Sequence, residues 1–141
     1  MKLAGKTAIV TGGGGGIGRA VSLRYAQEGA RCVVADVKLS LAEAVAKEIQ
    51  ATGGSALAVS MDVTKQADID QTIQAAAEAF GQVDILFNNA GIFEMAPLLE
   101  SSRESYDRLF DINVKGMFFM MQAAAAHMVE KGIRGKIINL S

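Results

Sequence analysis

The sequence is poor in cysteine, proline and net charge. Its one cysteine, Cys32, lies inside an apolar run, so we interpret it as a small buried side chain rather than a metal ligand or a nucleophile. No metal site is expected, and a lone cysteine fits a reducing, cytoplasmic setting. The 14 Lys and Arg residues nearly cancel the 15 Asp and Glu residues and form no basic cluster. This balance argues against nucleic acid as a partner.

Long hydrophobic runs are also absent. The apolar stretch near the amino terminus is too short for the core of a signal peptide. No later stretch approaches the roughly 20 apolar residues that a membrane helix requires. We therefore expect a cytoplasmic protein with no membrane partner.

What the sequence does have is an alternation of short apolar runs and longer amphipathic stretches, which is typical of βαβ units. The runs predict strands at 7–11, 32–36, 56–61, 84–89 and 136–140. Because crossovers between parallel strands are right-handed, the simplest arrangement is a Rossmann-type, doubly wound parallel α/β sheet of order 3-2-1-4-5 with helices on both faces. We expect residues 1–141 to form one such three-layer domain, whose last strand would be an unprotected edge.

The amphipathic stretches predict four helices. They are expected from the glycine run to Gly29, from Ser40 to Gly53, from about Lys65 to Phe80, and from Ser101 to Lys131 with an interruption near Asn113. Ser40 with Glu43, and Ser101 with Glu104, match the capping-box pattern.

Five consecutive glycines follow the first predicted strand, in "TGGGGGIG" at 11–18. A strand-to-helix turn can present backbone N–H groups to a diphosphate if no Cβ keeps the phosphates away. Two fingerprint spacings fit the run, one through Gly13, Gly15 and Gly18 and the other through Gly12, Gly16 and Gly18. Spacing alone does not decide between them. The alternative to a diphosphate-binding turn is a flexible surface loop.

Asp36 ends the second predicted strand, eighteen residues after Gly18. An acid there can accept hydrogen bonds from both adenosine ribose hydroxyls and repels a 2′-phosphate. At 5 Å and an effective dielectric near 20, each such charge pair costs roughly 3 kcal/mol. We therefore predict NAD rather than NADP, although the nearby Lys38 could approach a phosphate. The alternative is a solvated acid in a loop.

Taken in order, these motifs resemble the short-chain dehydrogenase/reductase family along essentially the whole chain. The matching segments are "TGGGGGIG" at 11–18, Asp36, "MDVT" at 61–64, "NNAG" at 88–91, "INVKG" at 112–116 and "GKIINLS" at 135–141. The resemblance favours the Gly12, Gly16 and Gly18 spacing. The stretch from 96 to 123 is similar to the polyol dehydrogenase branch, sorbitol dehydrogenase in particular.

The resemblance also implies a set of cofactor-binding residues: Gly12, Gly14, Gly15, Gly16, Ile17, Gly18, Asp36, Asp62, Val63, Asn89, Ala90 and Gly91. Asp62 and Val63 would contact the adenine, although Asp62 is equally a strand-end acid before a helix capped by Thr64. Asn88 would tie the fourth strand to its neighbours.

Asn113 interrupts a stretch of otherwise good helix formers, where asparagine is unfavourable. The resemblance implies a catalytic role for Asn113. The distorted helix would free a backbone carbonyl to hold a water in a proton relay. The alternative is a tolerated helix defect.

The reaction implied by the resemblance is oxidation of a secondary alcohol by hydride transfer to NAD, with a tyrosine as general base beside a lysine and a serine. Neither Tyr25 nor Tyr106 matches that tyrosine, and Ser141 immediately precedes the position expected for the serine. We therefore expect the chain to be an incomplete dehydrogenase, inactive alone, with the catalytic Ser, Tyr and Lys beyond residue 141. The alternatives are a non-catalytic dinucleotide-binding module and, less consistent with "NNAG" and "INVKG", a methyltransferase.

The stretch from 114 to 131 is apolar on most faces, with Lys115, Gln122 and His127 as the main exceptions. A helix of this kind is buried on two sides, so we expect one side on the sheet and the other on a second subunit. The resemblance implies a homotetramer. His127 is expected at the surface or interface rather than as a metal ligand.

Overall fold

The computed structural model describes residues 1–141 and contains one parallel sheet of five strands. The strands are β1 (Thr7–Thr11), β2 (Arg31–Asp36), β3 (Ser55–Ser60), β4 (Ile85–Asn88) and β5 (Lys136–Asn139). They lie in the order β3-β2-β1-β4-β5, and every pairing is parallel. The predicted fold class and strand order are confirmed, with strand ends within a residue or two of the apolar runs.

Five helices connect the strands: α1 (Gly16–Gln27), α2 (Leu39–Ala51), α3 (Gln66–Phe80), α4 (Arg103–Phe110) and α5 (Met117–Glu130). A π-helical segment, Asp111–Gly116, joins α4 to α5, so the predicted interruption near Asn113 is confirmed. A 3-10 turn at Leu98–Glu100 precedes α4. No helix combines the length and apolar character that crossing a membrane requires.

Both predicted capping boxes are wrong. Helix α2 begins at Leu39 with Lys38 as its N-cap, because the Asp36 carboxylate accepts a hydrogen bond from the Lys38 N–H and turns the chain two residues earlier than Ser40. Helix α4 is capped by Ser102, whose hydroxyl accepts a hydrogen bond from the Ser105 N–H at 3.0 Å. The hydroxyl of Ser101 is used elsewhere, since it donates to the Pro97 carbonyl.

The helices cover both faces of the sheet. Alternate strand residues point to opposite faces, so Ile9 and Val33 pack with α3 and α5, whereas Ala8 and Cys32 pack with α1 and α2. Burial raises the pKa of the Cys32 thiol to about 12, which leaves it protonated at neutral pH. Its predicted role as a buried apolar residue is confirmed.

The expectation that His127 lies at the surface or an interface is wrong. Its side chain is buried, and its Nε2 accepts a hydrogen bond from the Val83 N–H at 3.2 Å. The chain approaching β4 therefore gains a partner for a backbone donor that the sheet does not satisfy. Helix α5 packs Met120 and Ala124 into the core, while Phe118 remains half exposed.

Candidate functional site

A cavity of about 1010 Å³ opens at the carboxyl ends of β1 and β4, where the strand order reverses. This is the position at which doubly wound sheets bind ligands. The cavity is lined by Gly12, Gly15, Gly16, Ile17, Asp36, Val37, Leu41, Met61, Asp62, Val63, Thr64, Asn89, Ala90, Gly91, Ile92, Glu104, Asp107, Arg108, Asp111 and Ile112. Of the residues predicted to bind a cofactor, Gly14 and Gly18 alone are outside this lining.

The backbone of the glycine run explains why three of its positions need glycine. Gly12 and Gly16 have φ values of +61° and +49°, in the left-handed region that favours glycine. A Cβ on Gly18 would overlap the carbonyl oxygen of Gly12. The geometry therefore supports the spacing through Gly12, Gly16 and Gly18.

Two further glycines have different surroundings. A Cβ on Gly14 would lie 2.9 Å from Asp36 Oδ2 and 2.6 Å from Leu41 Cβ, so the absence of a side chain lets the loop approach β2 and α2. A Cβ on Gly15 would meet no atom within 4 Å, although Gly15 lines the cavity. Gly14 thus shapes the loop, whereas Gly15 leaves its backbone open to whatever the cavity holds.

Backbone donors fix the Asp36 carboxylate at the cavity wall. Its Oδ2 accepts a hydrogen bond from the Gly14 N–H, and its Oδ1 accepts one from the Lys38 N–H, both at 3.0 Å. The glycine loop and the end of β2 are therefore joined through this carboxylate. Lys38 meets Asp36 through its backbone rather than through its ammonium group.

The loop after β4 is attached to the glycine loop by Thr11, which the sequence analysis did not single out. The Thr11 hydroxyl accepts hydrogen bonds from the N–H groups of Asn89 and Ala90, both at 2.9 Å. The Asn89 side chain donates to the carbonyls of Thr11 and Gly12 at 3.1 Å. Asn88 donates to Asn139 Oδ1 at 2.9 Å and so ties β4 to β5.

Asp62 lies at the cavity wall after β3. The hydroxyl of Thr64 donates to Asp62 Oδ1 at 2.6 Å, and this bond lowers the pKa of the carboxyl against the opposing effect of burial. The Thr64 N–H and the ammonium of Lys65, 3.8 Å away, lower the pKa further. Because Lys65 is the N-cap of α3, the expected capping role of Thr64 is wrong. Its neighbour Val63 packs against Gly116, where a Cβ would lie 2.7 Å from Val63 Cγ2.

Asn113 lies in the π-helical segment and faces the chain after β4. Its Oδ1 accepts a hydrogen bond from the Ile92 N–H, and its Nδ2 donates to the Ile92 carbonyl, both at 2.8 Å. A Cβ on Gly91 would lie 3.1 Å from Asn113 Oδ1. Asn113 therefore fastens the backbone beside the cavity without lining the cavity itself, and its catalytic role stays a prediction.

One wall of the cavity, formed by α4 and the residue that follows it, was not predicted from the sequence. Glu104, Asp107, Arg108 and Asp111 line it. Their spacing of i, i+3, i+4 and i+7 places them on one face of a helix, and this period is the signal that could have found them. Arg108 is the one cationic side chain in the lining, and its guanidinium pairs with Glu94 at 3.0 Å. No group of side chains in the chain is arranged to hold a metal ion.

The parallel sheet of order 3-2-1-4-5 and the cavity at its reversal define a doubly wound α/β protein of Rossmann type. A profile of the short chain dehydrogenase family matches residues 6–141. The chain belongs to the short-chain dehydrogenase family.

Individual relatives agree with this assignment. The whole chain is 51% identical to sorbitol dehydrogenase of Cereibacter sphaeroides and 45% identical to galactitol 2-dehydrogenase of Agrobacterium fabrum, and covers 54% of each relative. The structure of a 7α-hydroxysteroid dehydrogenase complexed with NADH and 7-oxo glycochenodeoxycholic acid matches with a TM-score of 0.93 and 35% identity, over 99% of this chain and 54% of that chain. The chain thus spans about half the length of the relatives it matches.

Proposed function

We propose that the chain forms the NAD-binding part of an oxidoreductase that converts a secondary alcohol, specifically a sugar alcohol, into a ketone. The observation that carries the proposal is the Asp36 carboxylate, held by the Gly14 N–H at the wall of a glycine-lined cavity. The similarity to sorbitol and galactitol dehydrogenases supports a polyol substrate. The NADH in the hydroxysteroid dehydrogenase structure supports the class of cofactor.

The cavity fits a dinucleotide, since its glycine wall presents backbone without side chains at the start of α1. We assign the diphosphate to Gly12, Gly15, Gly16 and Ile17, the adenosine ribose to Asp36, the adenine to Asp62 and Val63, and the ribose side to Asn89, Ala90 and Gly91. Gly14 and Gly18 do not contact the cofactor in this assignment. Gly14 lets the glycine loop approach Asp36, and Gly18 lets helix α1 approach the Gly12 carbonyl.

The chemistry that NAD supplies when bound is acceptance of a hydride at the nicotinamide ring. The residues of this chain bind and orient it, while the hydroxyl proton of the alcohol passes to a general base. We propose that this base is a tyrosine beyond residue 141, assisted by a lysine and a serine, and that Asn113 belongs to its proton relay.

We also propose that the protein forms a homo-oligomer through residues 114–131. Val114 and Phe118 in this stretch are 48% and 50% exposed. The half-exposed Phe110, Val114 and Phe118 follow one another at intervals of four residues, and exposed apolar side chains with this helical spacing are typical of protein interfaces. Replacing Phe118 with Glu should lower the mass measured by analytical ultracentrifugation, and an unchanged mass would contradict this interface.

Fluorescence titration with NADH and NADPH on the full gene product tests the cofactor assignment. Repulsion by Asp36 should make NADPH bind about 100-fold more weakly than NADH. Asp36→Asn removes the charge and keeps the size of the side chain. It should reduce the preference for NADH over NADPH by a factor of about ten or more. The control is Glu43→Ala, an exposed acid of α2 that does not line the cavity.

Equal affinity of the unaltered protein for the two cofactors would overturn the assignment to Asp36. Oxidation of sorbitol or galactitol with NAD tests the reaction. NADH binding without turnover of any secondary alcohol would instead identify a non-catalytic dinucleotide-binding module.

A further inference from the structure

The segment after β4, residues 91–97, has no helical or strand structure, yet it borders the cavity through Gly91 and Ile92. Packing does not hold it, since Phe93 and Met95 are 81% and 86% exposed. Its attachments are polar. The Asn113 side chain holds both backbone groups of Ile92, and a second set of bonds holds the side chain of Glu94.

The second attachment joins Glu94 to α4. Its Oε1 accepts a hydrogen bond from Arg108 Nη1 at 3.0 Å, and its Oε2 accepts one from the Ser105 hydroxyl. Ser105 and Arg108 lie three residues apart on α4, so both carboxylate oxygens are used by one helix face. The side chain of Glu94 is 31% exposed, and Ser105 is in turn fixed by its N–H bond to the Ser102 cap.

The same contact pairs the one cationic side chain of the cavity wall. Arg108 lines the cavity beside the carboxylates of Glu104, Asp107 and Asp111, and Glu94 takes up its guanidinium. With adenosine at Asp36 and the diphosphate across the glycine loop, the nicotinamide half of NAD would extend to the β4 side of the sheet reversal. The segment that Glu94 fastens lies on that side.

We propose that Glu94 is a positioning residue for the nicotinamide half of the site, acting through Ser105 and Arg108. The inference rests on the proposed function. It assigns to Glu94 the task of holding residues 91–97 against α4, so that the chain beside the reacting atoms keeps one arrangement. Since small misplacements reduce rates steeply, loss of Glu94 should lower kcat for sorbitol oxidation about tenfold or more. NADH affinity should change less than about threefold, because the adenosine and diphosphate contacts remain.

The test uses the full gene product with Glu94→Ala, Glu94→Gln and the control Glu100→Ala. Glu100 is an exposed acid six residues further on that lies outside the cavity lining. Three quantities are measured: NADH affinity with the emission spectrum of bound NADH, kcat and KM for sorbitol, and amide hydrogen exchange of residues 91–97. Emission reports the surroundings of the nicotinamide and needs no turnover.

Glu94→Ala should shift the emission of bound NADH, lower kcat and speed exchange in residues 91–97 while leaving exchange in β1 to β3 unchanged. Glu94→Gln, which keeps one acceptor oxygen, should recover part of each effect, and Glu100→Ala should match the unaltered protein. The double variant Glu94→Ala/Arg108→Ala should be no less active than the less active of the two single variants, because the two residues act as one unit.

Unchanged emission and kcat in a Glu94→Ala variant that binds NADH normally would overturn the positioning role, whatever exchange shows. Exchange that rises throughout the sheet would also overturn it, since Glu94 would then act on folding alone. If the unaltered protein fails to bind NADH, the proposed function fails and the positioning role with it. The exchange data then still show whether Glu94 fastens the segment.

Discussion

Strands β1 and β5 have similar apolar sequences, "TAIVT" and "KIIN", yet their positions in the sheet differ. All five residues of β1 are buried, and β1 pairs with β2 on one side and β4 on the other. Strand β5 pairs with β4 alone, and three of its four residues are exposed. An apolar run therefore predicts a strand, whereas its neighbours in the sheet decide how much of it is buried.

The site follows the same division. At the end of β1, Gly12 and Thr11 are enclosed by the loop after β4, so the glycine loop has little freedom. Nearer β5, the segment 91–97 is held in place by hydrogen bonds of Asn113 and Glu94. The β1 side is held by close packing as well as by hydrogen bonds, whereas the segment 91–97 is held by a few polar bonds and leaves Phe93 and Met95 exposed.

The largest effect is expected where the backbone is most crowded, at Gly18. Gly18→Ala should destabilise the protein by about 4 kcal/mol or more, because the new Cβ would overlap the Gly12 carbonyl oxygen, a backbone atom rather than the end of a flexible side chain. Chemical denaturation measures the loss. Gly15→Ala is the matched control, since its Cβ meets no atom within 4 Å. It should leave stability unchanged within about 0.5 kcal/mol and weaken NADH binding, so equal stability losses would refute the packing argument.

The next effect should come from the buried centre of β1. Ile9→Ala removes a side chain with no exposed area and should cost about 3 to 4 kcal/mol in the free energy of unfolding. Urea denaturation measures it. If Ile9→Ala lowers the free energy of unfolding no more than the loss of an exposed strand residue does, β1 and β5 do not differ in packing as described.

A somewhat smaller effect is expected at Asp84, which joins the starts of β1 and β4. Its carboxylate accepts hydrogen bonds from the Thr7 N–H at 2.9 Å and from Lys6 Nζ at 3.2 Å. Asp84→Ala should cost about 2 to 3 kcal/mol, because it leaves the buried Thr7 N–H without a partner, whereas the half-exposed Lys6 remains solvated.

The same residue predicts a pH dependence. Burial is the largest single influence and acts to raise the Asp84 pKa, but the hydrogen bonds from Thr7, Gln82 and Lys6 outweigh it, so the pKa lies below 3.8. The stabilisation is complete above the unfolded value and is lost as pH falls through the folded pKa. The stability difference between the unaltered protein and Asp84→Asn should therefore be constant above about pH 5 and shrink below pH 3.8. A stability difference that grows on acidification would mean that the folded state raises the Asp84 pKa, and would contradict this prediction.

The smallest effect is expected on β5. Ile138 is 41% exposed, so Ile138→Ala in this chain should cost less than about 1 kcal/mol. Thermal unfolding beside Ile9→Ala measures the contrast directly. A loss above 2 kcal/mol would mean that the edge strand is as firmly packed as β1.

Local patterns were sufficient for the fold, since apolar runs, glycine stops and right-handed crossovers specify the strand order. They also located the glycine run, Asp36 and the break at Asn113. They failed for His127, whose partner, the Val83 N–H, is 44 residues away in the chain. They failed likewise for Thr11 and Glu94, because these residues act through side-chain bonds to elements that only the folded chain brings near.

The π-helical segment also sets the rotational phase between two helices. Each residue of an α-helix turns the chain by about 100°, and a π-bulge absorbs one extra residue without breaking the rod. That offset lets α4 direct Asp107 to the cavity while α5 directs Met120 to the sheet. A continuous regular helix from 103 to 130 would set these two groups of side chains at a different angle to each other, so the π-helical segment fixes how the cavity wall is oriented relative to the core.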